Sequence, residues 1–285
     1  MPLVKMKEIL THAKENGYGV GAFSVANLEM VMGAVRAAEE LRSPLILQIA
    51  EVRLKHSPLH IIGPAMVAAA KNATVPVAVH FDHGLTEEKI REALEIGFSS
   101  IMYDGSHHPL EKNIAETKKM AAISREYGAT VEAEIGQVGG SEDGSVDLEV
   151  LITSKEEAVR FAAETEIDAL AIAIGNAHGV YKGEPQLRFD RLQEIDSEIE
   201  IPLVLHGGSG ISETDFRRCI QLGIRKINVA TATFNNVVNM VNTQAPFKDY
   251  FSYHESVIAA AEENVKRHME MFQSVERVKE ETVHV

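Results

Sequence analysis

Apolar residues in this chain fall into two alternating patterns. Short runs with few polar interruptions recur along the whole length. They are YGVGAFSV from Tyr18, PLILQIA from Pro44, VPVAVHFDHG from Val75, SSIMYDGS from Ser99, TVEAEIGQVGG from Thr130, ALAIAIGNAHG from Ala169, PLVLHGGSG from Pro202 and RKINVATAT from Arg225. Near-continuous apolar runs, rather than strict alternation, fit parallel strands covered on both faces. Between the runs, apolar positions are spaced by three and four. ANLEMVMGAVRAAEEL puts Leu28, Val31, Met32, Val35 and Ala38 on one helical stripe. TEEKIREALEIG opens on a Thr86 N-cap and stops at Gly97, and the stretch from Ser212 to Gly223 repeats the design.

Strand and helix alternating in this way predict an α/β fold, a (β/α)8 TIM barrel. A doubly wound open sheet ranks below it, because no GxGxxG follows an early strand. Leu3 to Asn16 reads as an extra helix before the first strand, and Tyr253 to Phe272 as a long closing helix. The length, residues 1–285, fits a single barrel domain, with no linker and no repeat beyond the βα period.

Charge narrows the partners. With 42 acidic against 28 basic residues the formal net charge is −14, which argues against a nucleic-acid backbone but leaves room for a phosphorylated metabolite. The one cysteine, Cys219, excludes a disulfide framework or a cysteine metal site within one chain, and its context reads as buried on an amphipathic helix. No stretch resembles a signal peptide or a membrane span, so a cytoplasmic protein without membrane contact is expected.

In a barrel the chemistry gathers at the carboxyl ends of the strands. Three runs end in a histidine followed by glycine: His83, His178 and His206. Neighbouring strands would bring these imidazoles to one rim, and three neutral imidazoles with an open position build a catalytic zinc site. Asp82, next to His83, reads as the general acid or base, or else as a carboxylate that orients a ligand. Asp104 and Glu134 read as a second metal position, as groups orienting the ligands, or as buried partners of cations. His80 reads as a barrel-interior residue, and His107 and His108 as loop residues. The turns HGGSG and NVAT follow the last two strands, where barrels hold phosphate on backbone N–H groups and on hydroxyls such as Ser209 and Thr231. The loop from Val138 to Asp147 is glycine-rich and acidic, and reads as a lid that could carry Glu142.

Through HFDHG, MYDGSHHPLEKNI, VEAEIGQVGG, GNAHGVYKG and LVLHGGSGI the chain resembles the class II, zinc-dependent ketose-bisphosphate aldolases, the fructose- and tagatose-bisphosphate enzymes. The resemblance runs from FSVANLE at Phe23 through NVATAT at Thr233. It implies that His83, His178 and His206 hold zinc, that Asp82 shuttles the hydroxyl proton, and that Glu142 serves the C1 proton. It further implies that Gly179, Gly207, Gly208, Ser209, Asn228, Val229, Ala230 and Thr231 hold the phosphate of dihydroxyacetone phosphate, with a monovalent cation nearby. Asp104 and Glu134 match positions that take an auxiliary metal in relatives. The implied reaction is reversible cleavage of a ketose 1,6-bisphosphate to dihydroxyacetone phosphate and glyceraldehyde 3-phosphate, in a homodimer or homotetramer.

The chain departs from that pattern on the aldehyde side. Ser24 stands where relatives have Asn, and the second run ends Ala50-Glu51 where they place a hydroxyl residue. The segment FKDYFSYHESVIAA lacks the Arg of their Asp-Pro-Arg. Lys248 and Arg53 are the cations that could stand in for it. A ketose 1-phosphate is therefore the alternative substrate. A barrel metal hydrolase and a non-catalytic aldolase-like subunit rank lower.

Overall fold

The computed structural model describes residues 2–140, 150–179, 181 and 183–278. All eight apolar runs form strands: β1 (Val20–Ser24), β2 (Leu45–Ala50), β3 (Val77–Gly84), β4 (Ser100–Tyr103), β5 (Thr130–Ile135), β6 (Ala169–Ile172), β7 (Leu203–Leu205) and β8 (Ile224–Val229). They pair in chain order, and β8 closes on β1, giving a parallel barrel. A helix follows each strand: α2 (Leu28–Glu40), α3 (Leu59–Asn72), α4 (Glu87–Ile96), α5 (Leu110–Glu126), α6 (Lys155–Thr165), α7 (Phe189–Asp196), α8 (Glu213–Gln221) and α9 (Thr231–Gln244). The early helix is α1 (Met6–Asn16) and the closing one is α10 (Tyr250–Met271), close to the bounds read from the pattern.

The predicted caps form. Thr86 accepts from the Lys89 amide at the start of α4, and Gly97 ends that helix at φ 106°. Ser212 accepts from the Asp215 amide. One run is shorter as a strand than its apolar length suggests. ALAIAIGNAHG is strand only to Ile172, because Gly175 turns at φ 100° and the Asn176 side chain accepts from the Ile174 amide. That turn carries His178 off the strand end and into a loop.

The barrel interior is divided along its axis. Inward residues recur every second position, and the paired registers Ala22–Ile46, Ile46–Ala78 and Gln48–His80 put equivalent positions side by side. The lower layers are small and apolar: Val20, Ala22, Ile46, Ala78, Ala169, Ala171 and Val204, closed from beneath by Met6 and Leu10 of α1. The upper layers are polar and equally buried: Gln48, His80, Asp82, Glu132, Glu134, Lys226 and Asn228. A second apolar shell lies between the strands and the outer helices. Within it α2 and α10 approach so closely that a Cβ on Gly33 would meet the Ile258 carbonyl at 2.6 Å.

His268 of α10 lies in this outer shell, edge-on to Phe23 and Phe216 and tilted against Phe272, and its Nδ1 donates to the Asn264 carbonyl at 2.7 Å. Burial lowers its pKa to about 4. An unfolded chain takes up this proton below the ordinary value near 6.5, whereas the folded chain waits until about 4. Its contribution is therefore intact above the unfolded pKa and falls as pH drops through that window. Between pH 7.5 and 5 the wild type should lose about 2 kcal/mol more stability than His268→Leu, measured by urea unfolding. Parallel losses in the two proteins would refute this.

Candidate active site

His83 closes β3 in a conformation unusual for a side-chain-bearing residue, φ 44°, where the register against β4 also shifts. Such backbone persists only where surroundings impose it, and here it accompanies the turn of the strand at the mouth. His206 follows β7 directly, and His178 reaches the same point from the loop after β6. Their rings stand 4.6 Å (His83–His206), 5.0 Å (His83–His178) and 5.8 Å (His178–His206) apart, centre to centre. One donor nitrogen of each lies within 4.8 Å of the others. The rim expected from sequence is therefore formed.

The loops that bring the rings together are tied to each other. Asn176 donates to the His206 carbonyl at 3.0 Å, and the His178 amide donates to the Gly139 carbonyl at 2.7 Å. The Tyr181 hydroxyl accepts from the Ala177 amide and donates to the Gly207 carbonyl, each at 3.0 Å. Gly207 adopts φ 64°, and a Cβ there would strike the Ala177 carbonyl. Tyr181, Asn176 and Gln48 (below) escaped the sequence reading, since single polar residues carry no spacing signal.

Carboxylates behind two of the rings set their tautomers. His83 Nδ1 lies 2.7 Å from Asp104 Oδ2, and His206 Nε2 lies 2.9 Å from Glu132 Oε1. Each of those nitrogens carries the hydrogen, since a carboxylate only accepts. The remaining nitrogens, His83 Nε2 and His206 Nδ1, therefore present lone pairs to each other across 2.9 Å. Nitrogens that face each other at that distance need a cation between them, either a shared proton or a metal ion. The donor set thus fits a metal ion with an affinity for imidazole.

Electrostatics keep these imidazoles neutral. Burial, with the charges of neighbouring groups added, lowers His178 to about 3 and puts His206 and His80 well below the ordinary range. Neutral imidazole is the form a metal needs. A second group, His83, Asp104 and Glu134, also brings donors within 4.8 Å. Burial pushes Asp104 up, but hydrogen bonds from His83 and Ser106 outweigh it, so the carboxyl falls below the carboxylate range. Glu134 moves the other way, to about 8, through burial and the nearby Asp104 charge. His83, Asp104, Ser106, Glu134, Gln137 and His178 line a cleft of about 140 Å³ at the mouth.

Asp82 is fully buried, with both oxygens held. Gln48 Nε2 donates to Oδ2 at 3.1 Å and also lies 3.2 Å from the Ser24 hydroxyl, while Asn228 Nδ2 donates to Oδ1 at 3.1 Å. Asn228, expected at the phosphate, thus turns its amide to Asp82. At the glycine turns, the Gly208 N–H donates to the Asn228 carbonyl and the Ser209 hydroxyl accepts from the Ala232 amide. Thr231 is the first residue of α9 and Ala230 precedes it. Val229 is buried in the outer shell, so only its backbone can face the mouth. Gly179 sits at φ 80° in open space. Glu142 lies outside the described residues. His80 is interior, bonded to Ser100 at 2.7 Å, and His107 and His108 stack in their loop at 3.9 Å. On the aldehyde side, Arg53 stacks over Phe234 at 5.2 Å, and Lys248 is exposed.

Known proteins resemble the chain along its length. The family model described as fructose-bisphosphate aldolase class-II matches residues 4–277. Fructose-bisphosphate aldolase of Staphylococcus aureus is 41% identical over 286 residues, covering 98% of this chain and 100% of the relative. The Staphylococcus epidermidis protein of the same name is 40% identical with the same coverage. Among solved structures, the YdjI aldolase of Escherichia coli K12 superposes with a TM-score of 0.89 at 34% identity, covering 97% of this chain and 100% of that one. Barrel, loops and terminal helices all fall within these matches, and the chain belongs to the class-II fructose-bisphosphate aldolase family, whose members are carbon–carbon lyases.

Proposed function

We propose that the chain is a zinc-dependent aldolase that reversibly cleaves a ketose 1,6-bisphosphate, such as fructose or tagatose 1,6-bisphosphate, to dihydroxyacetone phosphate and glyceraldehyde 3-phosphate. The observation that carries this reading is the pair of lone pairs facing each other across 2.9 Å, with His178 beside them. His83, His178 and His206 would hold the zinc, and Asp104 and Glu134 would offer an auxiliary position. Zinc bound there supplies a Lewis acid for the ketose carbonyl oxygen.

The chain's own groups handle the protons. Asp82, oriented by two amide donors, takes the C4 hydroxyl proton as the C3–C4 bond breaks. Glu142 is assigned the return of a proton to the carbon left on the three-carbon fragment. The backbone at Gly179, Gly207 to Ser209 and Val229 to Thr231, with the N-terminus of α9, holds the C1 phosphate, and a monovalent cation completes its charge balance. The buried Lys226 is engaged with Glu132 at 2.8 Å, which suits chemistry that needs no Schiff base. Residues 1–285 would act as one domain, in a cytoplasmic homodimer or homotetramer. Among the described residues no helix is long and apolar enough to cross a membrane.

A second reading, cleavage of a ketose 1-phosphate, is favoured by one feature. The aldehyde side presents Ser24 and Ala50, and the segment leading into α10 contains no arginine. A bidentate guanidinium is difficult to replace at a phosphate.

Chelation should abolish release of dihydroxyacetone phosphate, and added zinc should restore it. Full activity in metal-free protein would exclude the metal mechanism. Asp82→Ala should lower turnover by about 10²–10⁴ while zinc stays bound, and undiminished turnover would remove Asp82 from the reaction. A coupled dihydroxyacetone phosphate assay across both substrate sets decides the distal phosphate. A higher kcat/KM for the bisphosphates supports the first reading, and a higher value for the 1-phosphates supports the second.

A further inference from the structure

Lys226 is the one lysine buried among the described residues, and it lies inside the barrel beneath the histidines. It rises from β8, in register with Val204 two positions before His206. Glu132 reaches it from β5 across the lumen, with Nζ 3.0 Å from Oε1 and 2.8 Å from Oε2, and both side chains are fully buried. The same Oε1 lies 2.9 Å from His206 Nε2, and His80 Nε2 stands 3.7 Å from Oε2. One carboxylate thus binds a lysine and a proposed zinc ligand through a single oxygen.

A buried ion pair seldom adds stability over an apolar pair of equal volume. What this pair does have is direction. Glu132 cannot rotate away from His206 without leaving the fully buried Lys226 unpaired. The N–H of His206 is thereby kept on Nε2, and Nδ1 is left bare toward His83.

We infer that Glu132 and Lys226 are positioning residues, a buried ion pair that locks the tautomer and tilt of His206 and so presets the site for its metal. This role rests on the zinc reading above. It does not involve contact with substrate.

The test uses the full-length chain with 15N-labelled histidine. In the metal-free protein, long-range ¹H–¹⁵N spectra should show His206 as the Nε2–H tautomer. In Glu132→Gln the side-chain amide can donate as well as accept, so the Nδ1–H form should gain population. Zinc affinity, measured by chelator competition, should fall about 10–100-fold, the usual effect of removing a group that orients a ligand. Glu132→Asp keeps the charge beside Lys226 but shortens the reach to His206. It should lower zinc affinity as well, and it guards against a Gln variant that fails to fold. A folded variant with the wild-type tautomer and wild-type zinc affinity overturns the positioning role. A wild-type chain that binds no zinc overturns the cofactor instead, and the tautomer spectra distinguish the two failures.

Discussion

The site depends on two imidazole nitrogens held 2.9 Å apart with their lone pairs turned toward each other. Left alone, the rings would rotate or take up a proton to relieve that repulsion. Neither exit is open. Asp104 holds the far nitrogen of His83 and Glu132 that of His206, so rotation would break a charge-assisted hydrogen bond in a buried setting. Protonation is opposed by burial, which depresses the pKa of His206. The facing nitrogens therefore make a place for a shared cation, as the proposed metal would be.

Holding that arrangement requires a rigid container, and the closed barrel provides one. Its lower interior is filled with apolar side chains and closed beneath by α1. Above that floor the inward positions of β2, β3, β5 and β8 hold charged and amide side chains that bond to one another. Among the described residues, Gln48 Oε1, His80 Nε2, Glu134 Oε2 and Asn228 Oδ1 are left without a hydrogen-bond partner. The arrangement has a division of labour. Glu132 bonds to Lys226 and His206, Gln48 and Asn228 hold Asp82, and Asp104 and Glu134 stand at the rim. Each group is fixed by a strand, and none relies on a flexible surface loop for its anchor.

The alternation of runs and stripes made the barrel legible, because period two and three-and-four spacing follow directly from strand and helix geometry. The three histidines and Asp82 were legible for a related reason: they sit at run ends, where barrels concentrate chemistry. Gln48, Glu132 and Lys226 were not legible as a network. Each is a single polar residue inside an apolar run, and which ones meet depends on strand register and closure, neither of which a linear pattern contains. Asn228 shows the same limit from the other direction. It lies in the NVAT turn expected to hold phosphate, yet its amide points to Asp82, a direction set by the pleat of β8. His178 stands between these cases, since its place past the strand end follows from Gly175 and the Asn176 side chain.

The same reasoning separates the two halves of the proposed site. The half that would handle the three-carbon phosphate is built from strand ends and from a helix start welded to β8. Its residues are coupled through the lumen, and changing one disturbs several others. The aldehyde half would draw on Ser24 and Ala50, which end β1 and β2, and on the 3₁₀ turn Glu51–Arg53 and the segment before α10, which lie beyond the strands. Even there the couplings are uneven. Glu51 accepts from the Leu85 and Thr86 amides and so ties the turn to the end of β3. Arg53 instead lies over Phe234 of α9, where a different side chain would disturb little of the lumen network. A change at Arg53 would therefore leave the lumen network intact, whereas a change at Ser24 would reach Asp82 through Gln48.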